Sequence, residues 1–101
     1  MTQLTPPQDC RDMGALRAEI DALDERLVAL LTARAGYIDQ AIVLKKINGW
    51  PAHIPERVEE VVAKVRDKAD AGGLDPDLAE TLWRELIDWA IAREARVIGD
   101  V

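Results

Sequence analysis

Two permanent cations, Arg34 and Lys45, fall where an amphipathic helix normally places leucine. Winding the segment 13–46 at about 100° per residue from Leu16 puts Leu23 at about −20°, Leu27 at about +20°, Arg34 at about 0° and Lys45 at about +20°. Arg17 lies at about 100°, on the edge of the same stripe. Glu94 is the matching anomaly near the other end of the chain, in a helical row with Trp83, Ile87, Ala90, Ile91 and Ile98. Taken singly, each has an ordinary explanation. A cation can snorkel to water or pair with a buried carboxylate, and Glu94 can be exposed by fraying. Taken together, two arginines and a lysine outnumber one carboxylate, so a shared cluster needs an anion from outside. A small dicarboxylate fits, because each guanidinium can hold a carboxylate through paired hydrogen bonds.

Three helices must position these groups. From Met13 to about Lys46 the chain has no proline, and Leu16, Ile20, Leu23, Leu27, Leu30, Leu31, Ile38 and Ile42 recur at helical spacing. Asp12 suits the N-cap, with Asp9 competing. NGWPAHIP, residues 48–55, interrupts the pattern. Pro55 then suits the first position of a second helix, with Glu56 favourable in its first turn. Val58, Val61, Val62, Val65 and Ala69 give it an apolar stripe, and AGG at 71–73 ends it. Asp75 and Pro76 open a third helix to about Ile98. The expected spans are 12–46, 55–71 and 75–98, an all-α single domain.

The first helix is too long for its domain. Its residues at about 1.5 Å each make roughly 50 Å, whereas a compact domain of this size is about 35 Å across. Carrying an apolar stripe throughout, it predicts an intertwined homodimer.

Composition narrows the partners. Thirteen basic residues stand against 19 acidic, a net charge of −6, which disfavours nucleic acid and anionic membranes. The single cysteine, Cys10, gives no disulfide framework or thiol metal cluster, and it has no local histidine to activate it. His53 is the only histidine, so it is no metal site. AGGLDP lacks the GK[ST] of a phosphate loop. EVVAKVRDKAD reads as a solvated face, and Trp83 and Trp89 as core or interface residues. MTQLTPPQDCRD has no signal-peptide pattern, and no apolar stretch approaches the roughly 20 residues of a bilayer span. A cytoplasmic protein without cofactor is expected.

These residues carry a family likeness. LRAEIDALDERLVALLTAR, Lys45 eleven residues after Arg34, PERVEEV and a closing helix resemble the all-helical chorismate mutase family over about residues 9–96. DC before the first helix, IPERV and LIDWAIAREA resemble most closely its isochorismate pyruvate lyase branch. The resemblance implies a homodimer with two sites shared between protomers. It implies that Arg17 crosses from the partner to one substrate carboxylate and that Arg34 holds the other. Lys45 donates to the ether oxygen, Glu56 contacts the ring hydroxyl, and loop 46–55 is a lid.

The implied reaction is the pericyclic conversion of chorismate to prephenate, in aromatic amino acid biosynthesis. It needs no nucleophile, metal or cofactor. The alternatives are isochorismate pyruvate lyase, an enzyme acting on an amino analogue, or a non-catalytic dicarboxylate-binding regulatory module. Four positions depart from the mutase pattern. Glu94 stands where many members have Gln, and a carboxylate donates only when protonated. Ala90 replaces a common Ser. Pro55 and Ala52 replace an Arg and an Asp, implying that the ring hydroxyl is contacted differently.

Overall fold

The computed structural model describes residues 4–99 as a 3-10 turn, Pro7–Asp9, followed by three α-helices. They are α1 (Met13–Asn48), α2 (Pro55–Gly72) and α3 (Pro76–Ile98). No strand occurs among the described residues. The fold is all-α, as the helical periodicity requires.

Local chemistry sets each boundary. Asp12, not Asp9, caps α1: its Oδ1 accepts from the Ala15 N–H at 2.8 Å, while Asp9 is used in the preceding turn. The helix continues two residues past Lys46, to Asn48. It ends where Gly49 adopts φ +70° and the Trp50 N–H donates back to the Lys45 carbonyl at 2.9 Å. That six-to-one bond is the mark of a glycine-terminated helix. The same device closes α2, where Gly73 has φ +84° and the Leu74 N–H donates to the Ala69 carbonyl at 2.8 Å. Asp75 Oδ1 then accepts from the Asp77 N–H at 2.9 Å and caps α3.

By internal packing the chain divides inside α1, into Met1–Gly36 and Tyr37–Val101. In the first unit none of the described residues is buried. Most of its leucines stay open, Leu27 at 54% and Leu30 at 67% exposure, so this part of the helix has no core of its own. By length and composition α1 also passes for a membrane span. The expectation that no stretch comes near a span is therefore corrected: an averaged composition tolerates interruptions such as Arg34 and Asp39, which an uninterrupted run does not.

In the second unit α2 packs on α3 through small side chains. Val62 and Ala69 of α2 and Ala79, Ile87 and Ala90 of α3 are buried, as are Ile42 and Ala52. A polar strap runs beside this seam. Arg66 donates to Asp77 Oδ1 and Glu80 Oε1, both at 2.9 Å. Arg84 donates to Glu80 Oε2 at 2.7 Å and forks onto Glu59. Arg66 is thus a bridging residue, not part of a purely solvated face.

The Glu80 carboxyl is held below the usual carboxylate range, first by the hydrogen bond from Arg84 against an opposing push from desolvation, with Arg66 adding. A carboxylate lowered in the folded state adds stability above its unfolded value, and that stability is lost as pH falls through the lowered folded value. Denaturant midpoints should therefore drop as pH falls below about 4.3. Glu80→Gln should show a shallower drop, and an unchanged slope would mean that the strap does not contribute.

Candidate active site

The second unit brings Lys45 and Glu94 into contact. Lys45 lies in the last turn of α1 and Glu94 a turn before the end of α3. Their Nζ and Oε1 are 2.7 Å apart, with the lysine side chain 17% exposed and the glutamate 5%. Glu94 is the buried charged residue among those described. Fraying therefore does not explain it, because α3 continues to Ile98.

Lys45 Nζ also donates to the Ala52 carbonyl at 2.8 Å. Ala52 is itself buried, which ties the segment after Gly49 to the end of α1. An ammonium has three donors. The Ala52 carbonyl occupies one of them, and the Glu94 carboxylate lies at ion-pair distance. Glu94 Oε1 has the ammonium at ion-pair distance but no directed hydrogen bond. The contact is therefore one of charge, since Coulomb attraction depends on separation and not on angle. Beside this pair is a cleft of about 230 Å³ lined by Lys45, Lys46, Gly49, Trp50 and Ile98. A larger cavity of about 350 Å³ between Val65, Ala69, Leu74 and Trp83 is apolar except for Lys68, and holds none of the expected site residues.

The remaining expected residues are placed as follows. Arg17 is exposed and Arg34 half-buried, both in the first unit. Glu56 is exposed in the first turn of α2. None of the three has an ion-pair or hydrogen-bond partner among the described residues. A half-buried arginine without a carboxylate differs from the structural pairing open to any inward cation. Lys45 has that pairing; Arg34 does not. His53 is exposed, and no group of three metal-ligating side chains occurs among the described residues. Trp83 is half-buried and Trp89 is 49% exposed.

Sequence reading missed two features. The Ala52 carbonyl is a main-chain acceptor that no side-chain pattern marks. Asp39 and Arg93 form a two-pronged ion pair between α1 and α3. Its only sequence signal is an acidic residue between Arg34 and Lys45 and a basic one next to Glu94.

The chain belongs to the chorismate mutase type II family, which it matches over residues 16–95. It is 34% identical over 76 residues to the T-protein of Enterobacter agglomerans, covering 75% of this chain and 20% of that protein. It is 32% identical over 91 residues to the isochorismate pyruvate lyase of Pseudomonas aeruginosa, covering 89% of this chain and 88% of that protein. The bifunctional chorismate mutase/prephenate dehydratase of Aquifex aeolicus is 32% identical over 89 residues, 85% of this chain and 25% of that protein. The chain thus spans only about a fifth of the length of the T-proteins it matches. No solved structure matches it significantly.

The buried pair makes a stability prediction. Removing Lys45 leaves a carboxylate desolvated without its counter-charge, so Lys45→Ala should cost about 3–5 kcal/mol at neutral pH. Glu94→Gln should cost less, and Lys45→Ala/Glu94→Gln should be more stable than the sum of the single changes, as a denaturation double-mutant cycle would read. Strict additivity would mean that the two charges are not coupled.

Proposed function

We propose that this chain is a chorismate mutase, an isomerase that converts chorismate to prephenate. The observation that carries the reading is the buried Lys45–Glu94 pair at 2.7 Å, whose lysine lines a cleft in a chain of this family. The rearrangement breaks the ether C–O bond as a C–C bond forms, in one cyclic movement of electrons. No proton or electron leaves the substrate. Catalysis then consists of holding the compact conformer and stabilising negative charge that grows on the ether oxygen.

Lys45 supplies that stabilisation with an N–H not taken by Ala52, and Glu94, when protonated, supplies a second donor. Arg34 holds one substrate carboxylate. Arg17 of a second copy holds the other. Glu56 meets the ring hydroxyl. The apolar stripe of α1, open at Leu23, Leu27, Leu30 and Leu31, is covered by the same stripe of that second copy in a homodimer. The cleft beside Lys45 is small for a ligand site, which agrees with walls supplied by a partner.

A second reading has support of its own. The Pseudomonas relative named isochorismate pyruvate lyase is matched over nearly all of its length, and Pro55 precedes Glu56 and Arg57 as in that branch. The lyase reaction uses the same carboxylate clamp and the same stabilised ether oxygen; the ring hydroxyl and the pose differ.

The test is to offer chorismate and isochorismate separately and quantify prephenate, salicylate and pyruvate. Prephenate from chorismate is the expected result. Salicylate with pyruvate from isochorismate would replace it with the lyase reading, and no product from either would leave a dicarboxylate-binding module. Lys45→Ala/Glu94→Gln, which removes the ammonium without stranding the carboxylate, should lower kcat by at least about 10²-fold while remaining helical.

A further inference from the structure

The proposed chemistry leaves Asp39 and Arg93 without a role. Arg93 Nε donates to Asp39 Oδ1 at 2.6 Å and Nη2 donates to Oδ2 at 3.2 Å. This is the fork-on-carboxylate geometry in which each group fixes the plane of the other. Arg93 Cζ also stands 5.3 Å from the centre of the Trp89 ring, one turn back on α3. A π-face therefore holds the guanidinium from a second side.

As a contribution to bulk stability such a pair is modest. Arg93 is 43% exposed and Asp39 is 50%, and exposed pairs add little. Its position is more informative. Arg93 immediately precedes Glu94, and Asp39 lies six residues before Lys45, less than two turns along α1. The fork thus grips the same two helices that carry the Lys45–Glu94 contact. The buried apolar residues nearby, Ile42 and Ala90, resist separation of the helices. Apolar contact is non-directional, however, and sets no hydrogen-bond register. A second pair of fixed direction does.

We propose that Asp39 and Arg93 are positioning residues, whose fork holds α1 and α3 in the register that keeps Lys45 Nζ on Glu94 and directed at the reacting ether oxygen. The catalytic part of this inference rests on the mutase or lyase reading; the geometric part does not. Three variants test it: Asp39→Asn, Arg93→Lys, which retains the charge but loses the fork, and the two combined. Each single variant should lower kcat roughly ten- to a hundredfold, with KM barely moved and the circular dichroism melt close to wild type. The double variant should be no worse than the poorer single one, because either change already opens the fork.

A second readout needs no turnover. Lys45 and Lys46 are neighbours, one held and one exposed, so their acetylation by acetic anhydride can be compared in the same digested peptide by mass spectrometry. In the wild type Lys45 should react more slowly than Lys46, and in the variants the gap should narrow. Unchanged kcat with unchanged Lys45 reactivity would overturn the proposal. So would a fall in kcat that merely follows loss of helix while Lys45 stays protected, since the fork would then be a structural strap. Should the wild type convert neither substrate, the mutase and lyase readings fail, and the acetylation result still decides the register.

Discussion

A lysine ammonium and a glutamate carboxylate, both largely removed from water, tie the end of α1 to α3 in the second unit of this chain. Each charge would be costly to bury alone, and their mutual attraction repays that cost only at close range and in a fixed geometry. The 2.7 Å separation of Lys45 and Glu94 therefore dictates where the end of α1 lies against α3. It also dictates which way the chain leaves α1, since the same ammonium holds the Ala52 carbonyl. The polar centre is thus part of the fold and not an addition to a finished core. Replacing it by well-packed hydrophobic groups could give an equally stable helix pair. That a charged pair stands there instead is an argument for chemistry at the site.

Much of this was legible in the sequence, for physical reasons. Charges at about 0° and +20° on an apolar stripe identify Arg34 and Lys45 because a 3.6-residue period fixes azimuth within one helix. Proline at N1 marks the starts of α2 and α3, and the glycines at 72–73 mark the end of α2, each within a residue. The end of α1 lies two residues beyond the last lysines, because the helix ends only where Gly49 can take a positive φ. Asp9 and Asp12 are chemically equivalent caps. The choice fell to Asp12 because Asp9 was already taken up in the proline-led turn before it.

What remained hidden involves two elements at once. A helical wheel orders residues around one axis but carries no information about which residue of another helix comes opposite. The pairing of Asp39 with Arg93 across 54 positions and the strap from Arg66 to Asp77 and Glu80 are of that kind. The Ala52 carbonyl is invisible for a different reason, since every residue has one. Arg17, Arg34 and Glu56 stay unpaired among the described residues, so their roles rest on resemblance and on the demand of an unpaired, half-buried guanidinium for an anion.

The segment joining α1 to α2 has a less obvious consequence for how the chain can vary. Surface connections generally accept added residues, because lengthening a flexible loop costs only about 0.6 kcal/mol per doubling. Here the donor and acceptor that bracket the turn are only seven residues apart, and the turn begins on a glycine in the left-handed region that hands the Trp50 N–H back to Lys45. An added residue between Gly49 and Ala52 would carry the carbonyl away from the ammonium. That stretch should therefore hold its length through evolutionary drift even where its side chains change freely, the reverse of what loops usually show.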